Sequence, residues 1–214
     1  RAVIYDLDGV LLDTEPFYTI VTQEIVARYG KTFDWSVKKR MIGRPSRESA
    51  LYLVEALGLP ITADDYLRMR EVRLRDLFPS AQEKPGAEAY TRSLHALRIP
   101  QAIATSSERE LYALKTSRHV EWFAHFTVTV TGDDPRVRAG KPAPDIFLVA
   151  AEALGVAARD CVVFEDSPVG LAAAHTAGMQ VVALPDPEMD KASFAGADLL
   201  IENFLALRPE DLGF

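Results

Sequence analysis

Short apolar runs that stop abruptly at polar residues recur along this chain. Ala2-Val3-Ile4-Tyr5 runs into Asp6-Leu7-Asp8-Gly9-Val10, and Gln101-Ala102-Ile103-Ala104 runs into Thr105-Ser106-Ser107. Phe126-Thr127-Val128-Thr129-Val130-Thr131 leads to Gly132-Asp133-Asp134, with Gly140-Lys141-Pro142 shortly after. Cys161-Val162-Val163-Phe164 leads to Glu165-Asp166-Ser167. Val181-Val182-Ala183-Leu184 and Leu199-Leu200-Ile201 complete the series. Between these runs, helical periodicity is expected near residues 87–98, 108–121, 144–155, 168–177 and 190–195. Nearly all-apolar strands alternating with amphipathic helices imply an α/β fold with a parallel, Rossmann-like sheet covered on both faces.

One stretch breaks the alternation. Residues 17–78 show helical periodicity and no convincing strand. Phe17, Ile20, Val21, Ile25 and Tyr29 mark one helix, ended by Gly30. Helices are expected from Trp35 to Met41, from Arg47 to Leu57 before Gly58, and from Ala63 to Phe78 before Pro79. Four helices inserted after the first strand predict a helical cap over residues 15–82. The core then comprises residues 1–14 and 83–214. Pro79 and Pro85-Gly86 fall where the chain crosses back.

The polar residues at the strand ends carry the candidate chemistry. Side chains alternate across a strand, so Asp6 and Asp8 point to one side and their carboxylates repel. A divalent cation or a shared proton relieves that repulsion. Gly9 permits a sharp turn and close approach to a ligand. Open α/β sheets bind ligands beyond the carboxyl ends of their strands. Two acids, a hydroxyl pair, a lysine and a second acid pair therefore arrive at one edge. Taken singly, each has a plainer reading: Thr105-Ser106-Ser107 as a helix cap, Lys141 as a solvated loop lysine, Glu165-Asp166 as a loop entering a helix.

In this order, the residues resemble the haloacid dehalogenase (HAD) superfamily of phosphotransferases. Asp6-Leu7-Asp8-Gly9-Val10, Thr105, Lys141 and Glu165-Asp166 match its four motifs, and the likeness covers essentially the whole chain. The nearest branch has a small helical cap and includes pseudouridine-5'-phosphatases, glycerol-3-phosphatases, 2-deoxyglucose-6-phosphatases and β-phosphoglucomutases. Lys31-Thr32-Phe33-Asp34-Trp35, Lys115-Thr116-Ser117-Arg118-His119, Gly132-Asp133-Asp134-Pro135 and Ala177-Gly178-Met179-Gln180-Val181-Val182 point to the first two.

The resemblance implies a phosphatase that acts through an aspartyl-phosphate. Asp6 would be the nucleophile and Asp8 the general acid and base. Thr105, helped by Ser106, would hydrogen-bond a phosphoryl oxygen, and Lys141 would neutralise it. Asp6, the Asp8 carbonyl, Asp166 and Glu165 would ligate Mg²⁺. The substrate would be a small phosphorylated metabolite, with the leaving group selected by the cap. Lys38, Lys39, Arg40, Arg44 and Arg47 cluster there. Lys38 and Lys39 read as a solvated face, whereas Gly43-Arg44-Pro45-Ser46-Arg47 reads as a loop, making Arg44 and Arg47 candidate substrate contacts. Ser46-Arg47-Glu48-Ser49 also resembles the phosphate-holding cap loop of β-phosphoglucomutase, at a spacing one residue longer. A mutase is therefore the alternative, with a non-catalytic sugar-phosphate sensor a third.

Bulk properties narrow the class. The chain has 214 residues, 48% of them apolar, a net charge of −7 and no long basic run. Nucleic acid is not expected as a partner. No apolar run reaches the length of a membrane span, and no signal peptide is visible. The single cysteine, Cys161, excludes an internal disulfide and reads as a small buried residue. A cytoplasmic, monomeric protein is expected. His95, His119, His125 and His175 lack metal-ligand spacing, Asp13 reads as a turn residue, and Asp133-Asp134 as a turn cap.

Overall fold

The computed structural model describes residues 1–42 and 46–214. It divides into two compact units, Arg1–Asp13 with Ala81–Phe214, and Thr14–Ser80.

The first unit is built on six parallel strands: β1 (Ala2–Tyr5), β4 (Gln101–Ala104), β5 (Val128–Val130), β6 (Cys161–Glu165), β7 (Gln180–Ala183) and β8 (Leu199–Leu200). Their order is β5-β4-β1-β6-β7-β8. Strand β1 pairs with β4 on one side and β6 on the other, so the order switches direction at its carboxyl end. That is where an open α/β sheet opens a crevice. A short antiparallel pair, β2 (Leu12–Asp13) and β3 (Gln82–Glu83), ties together the two places where the chain leaves and re-enters this unit. Lys84 Nζ lies 3.4 Å from Asp13 Oδ1 beside it.

Period-two alternation sets the two faces. Ala2 and Ile4 join Ala102, Ala104, Val163 and Val181 in one core, packed by Ile146, Phe147 and Ala150 of α8 (Asp145–Leu154) and Leu171 and Ala174 of α9 (Pro168–Thr176). Tyr5 and Phe164 take the opposite parity and stack with centroids 5.0 Å apart, and Phe164 stacks on Phe204 at 5.3 Å. Tyr90 of α5 (Ala87–Ala96) joins this second, aromatic core.

The helix expected over 108–121 is two: α6 (Arg109–Thr116) and α7 (Val120–Phe123). The hydroxyls of Thr116 and Ser117 donate back to the Tyr112 and Leu114 carbonyls, at 2.9 and 2.8 Å, at the break. Such local bonds compete with helix continuation. The helix expected at 190–195 is a single short 3₁₀ segment over Lys191–Phe194, not an α-helix.

The second unit contains α1 (Glu15–Ala27), α2 (Trp35–Lys38), α3 (Ser46–Leu57) and α4 (Ala63–Leu77). Helices α1 and α3 both pack on α4. Thr22 Oγ1 and the Tyr66 hydroxyl lie 2.8 Å apart, and Arg73 pairs with Glu24 at 2.8 Å. Thr62 and Asp65 close a capping box at the start of α4. Helix α2 is shorter than expected because Arg40 and Met41 donate to carbonyls three residues back, tightening its end into turns.

Candidate active site

The carboxyl ends of β1, β4 and β6 bring most of the expected residues together. Asp6 follows β1 and stays in the ladder, its amide donating to the Phe164 carbonyl at 3.0 Å. Its carboxylate Oδ1 accepts from Lys141 Nζ at 2.5 Å. The same ammonium donates to Glu165 Oε1 at 2.5 Å and lies 4.9 Å from the centroid of Phe147. All three side chains are buried: Lys141 is 6% exposed, Asp6 10% and Glu165 1%. Burial pushes the Asp6 carboxyl up, Lys141 opposes that, and Glu165 and Asp8 reinforce it. For Lys141 burial acts downward, but Asp6 and Glu165 outweigh it, and the ammonium is held charged. Removing one member of such a buried set costs about 3–5 kcal/mol because the others remain without their counter-charge.

Glu165, expected among the metal ligands, has both oxygens engaged within the protein. Oε1 takes Lys141, while Oε2 accepts from the Asp166 amide at 3.1 Å, the Ser167 amide at 3.2 Å and the Ser167 hydroxyl at 3.0 Å. Ser167 also caps α9, accepting from the Gly170 amide at 3.1 Å. Asp166 lies directly against Gly9. A Cβ on Gly9 would fall 2.0 Å from Asp166 Oδ2, and its φ of +75° disfavours any side chain there.

Asp8 is held from a direction the sequence reading missed. Lys115, in the last turn of α6, places its ammonium 2.7 Å from each Asp8 oxygen. Ser107 Oγ donates to Asp8 Oδ2 at 3.0 Å. A charged residue of an amphipathic helix ordinarily reads as a solvated one. The only hint was its place within Lys115-Thr116-Ser117-Arg118-His119.

Thr105 is buried, and its Oγ1 accepts from the Ser107 amide at 3.1 Å, so the hydroxyl keeps its own hydrogen for another acceptor. Ser106 is exposed. Thr105-Ser106-Ser107 does not cap α6. Asp133 does, through its Oδ1 on the Arg109 amide at 3.0 Å. Asp134 accepts from the Arg136 amide and guanidinium. Arg47 belongs to the first turn of α3, not to a loop, and pairs with Asp64 at 3.4 Å, its side chain 71% exposed. Helix formation from Ser46 onward accounts for that difference. Arg44 lies outside the described residues.

Among the described residues no three His, Cys, Asp or Glu side chains converge as a metal-binding group. With Glu165 taken up by Lys141 and the Ser167 loop, the remaining members of the expected Mg²⁺ set are two carboxylates, Asp6 and Asp166, and one backbone carbonyl, that of Asp8. Four carboxyl groups (Asp6, Asp8, Glu165, Asp166) meet two ammonium groups (Lys115, Lys141), a surplus of acid that a divalent cation would balance. Mg²⁺ prefers oxygen donors and retains several waters. The donor set and the bare backbone at Gly9 fit it.

The model of the haloacid dehalogenase-like hydrolases matches residues 1–178. The (DL)-glycerol-3-phosphatase 2 of Arabidopsis thaliana is 46% identical over 99% of this chain and 90% of its own. A Drosophila melanogaster relative named "Probable pseudouridine-5'-phosphatase" is 42% identical over 98% of this chain and 92% of its own. A crystal structure of a HAD hydrolase, family IA, variant 3, from Entamoeba histolytica superposes with a TM-score of 0.82 at 26% identity, covering 99% of this chain and 97% of that one. The chain belongs to the haloacid dehalogenase-like hydrolases. No helix of the described residues is long and apolar enough to cross a membrane.

Proposed function

We propose that this chain is a Mg²⁺-dependent phosphatase that hydrolyses a small phosphorylated metabolite through an aspartyl-phosphate on Asp6. The observation that carries this is the buried Asp6–Lys141–Glu165 cluster. Lys141 holds one Asp6 oxygen, Oδ1, and thereby aims the other, Oδ2, at an incoming phosphorus.

Asp6 Oδ2 forms the new bond to phosphorus while the bond to the leaving alcohol oxygen breaks. Asp8 gives that oxygen its proton. A water then attacks the phosphoryl group, Asp8 takes the proton back, and the Asp6 carboxylate and inorganic phosphate separate. Thr105 donates to a phosphoryl oxygen, and Lys141 offsets charge there as it builds. Asp6, Asp166 and the Asp8 carbonyl would hold Mg²⁺, which supplies Lewis-acid charge neutralisation when bound. Glu165 serves as the counter-charge that fixes Lys141.

The relatives' names favour monophosphates of polyols and nucleosides as substrates. Arg47 of α3, ion-paired with Asp64 of α4, lends the mutase reading no support. An intact Asp6 and Asp8 are more than a sensor needs.

The test is phosphate release from glycerol 3-phosphate, pseudouridine 5'-phosphate, hexose phosphates and p-nitrophenyl phosphate, with Mg²⁺ and with chelator. Mg²⁺-dependent release from at least one, abolished in a folded Asp6→Asn variant, is expected. Equal turnover in Asp6→Asn, or no release from any substrate, would overturn the reading.

A further inference from the structure

We infer that Lys115 is a positioning residue for Asp8, holding its carboxylate in one orientation toward the leaving-group oxygen. The inference rests on the reading of Asp8 as general acid and base. Lys115, Ser107 and Asp8 form a closed triangle. The ammonium donates to Asp8 Oδ2 at 2.7 Å and to Ser107 Oγ at 2.8 Å, and the Ser107 hydroxyl donates to Asp8 Oδ2 at 3.0 Å. The Lys115 side chain is 1% exposed, whereas Asp8 is 24% exposed. A carboxylate gripped from the buried side and wetted on the other has a fixed direction and an open face for proton exchange.

Filling space alone does not account for this arrangement. An aliphatic side chain at position 115 would fill the end of α6 without the desolvation that a buried ammonium incurs. The grip also coordinates two tasks. Ser107, which braces Asp8 through its hydroxyl, orients the Thr105 hydroxyl through its amide. One loop therefore sets both the proton-transfer carboxylate and a phosphate-binding hydroxyl. Proton transfer depends on placement within hydrogen-bond reach of the leaving oxygen, so a loosened Asp8 slows the step that needs the proton.

Lys115→Met keeps the methylenes and removes the charge. Single-turnover cleavage would be followed for glycerol 3-phosphate, whose alkoxide needs a proton, and for p-nitrophenyl phosphate, whose nitrophenolate does not. The expected result is a loss of about 10–100-fold on the alkyl substrate, the usual size of a lost orienting contact. KM and the nitrophenolate burst should stay within about threefold. In an Asp8→Asn background, Lys115→Met should add no further loss, because the group it orients is already gone. Equal losses on both leaving groups, or a loss that adds fully to that of Asp8→Asn, would make Lys115 merely structural and overturn the inference. Should Lys115→Met fail to fold by circular dichroism, Lys115→Gln, which keeps a polar end group but removes the charge, takes its place. A loss confined to the alkyl substrate would then support the inference, and unchanged alkyl cleavage would overturn it. Wild-type alkyl cleavage in Asp8→Asn alone would overturn the assignment of Asp8 itself, a result separate from any failure at Lys115.

Discussion

Gly170 lies so close to Glu165 that a Cβ added to it would fall 1.9 Å from the Glu165 carboxyl carbon and 2.0 and 2.2 Å from its oxygens. The first turn of α9 is therefore bare where it meets the carboxyl group that receives Lys141. Ser167 links the two, accepting from the Gly170 amide while its own hydroxyl donates to Glu165. The helix start and the charge cluster are one piece of packing.

Gly170→Ala should accordingly push Glu165 aside and loosen Lys141. Overpacking of this kind destabilises by about 1–3 kcal/mol. A thermal melt and kcat on the best substrate should both fall. Wild-type values for both would show that the Glu165 carboxyl can move without consequence.

Chelation should remove activity, and Mg²⁺ should restore it. Ca²⁺ should restore little, because it takes more ligands in a looser shell and lets a carboxylate bind through both oxygens, misdirecting Asp6. Phosphate release after exhaustive chelation and add-back is the measurement. Undiminished turnover without metal would exclude this part of the mechanism.

His95 and His125 stack with centroids 4.2 Å apart and planes 10° from parallel. The Nδ1 of His125 is buried with no hydrogen-bond partner. Burial lowers the His125 pKa, His95 and Arg92 add to that, and Glu88 opposes it. A base whose folded pKa is depressed stays neutral in the folded state while the unfolded chain takes up a proton. Its contribution is therefore retained above the ordinary histidine value and lost as pH falls below it. His125→Phe keeps a stacked ring but cannot titrate. Melting temperatures between pH 7.5 and 5.5 should decline less steeply in that variant, and an unchanged slope would clear His125 of the effect.

Cys161 opens β6 with 0% exposure, and burial raises its thiol to about 11. At pH 8 only on the order of one thiol in a thousand would be thiolate, the reactive form. Iodoacetamide should leave the native protein essentially unlabelled for hours yet alkylate it within minutes in guanidinium chloride. Rapid native labelling, read by mass spectrometry, would contradict the packing of β6.

Much of the architecture was legible along the chain because its signals are local. An apolar run followed by Asp6-Leu7-Asp8-Gly9, or by Glu165-Asp166-Ser167, carries both the strand and its polar end within about ten residues. The six strands were visible this way, as were the four helices of α1–α4, whose buried positions recur at helical spacing. Asp133 and Ser167 were read as turn or loop residues, and both cap helices. The partner of Asp133 lies 24 residues away, which no local pattern reveals.

What the sequence by itself determined is which residues arrive at the carboxyl edge of a parallel sheet, since alternation and strand-end chemistry are properties of neighbouring residues. Only the tertiary structure decided what each of them touches. Lys115 meets Asp8 across 107 residues of chain, and Lys141 meets Asp6 across 135. Those encounters depend on β1 lying between β4 and β6, which places α6 and the loop after β5 beside the first strand. A lysine on an amphipathic helix looks the same in sequence whether water or a buried carboxylate receives it. The strand order settles which, because desolvation makes an unpaired buried charge too costly to keep.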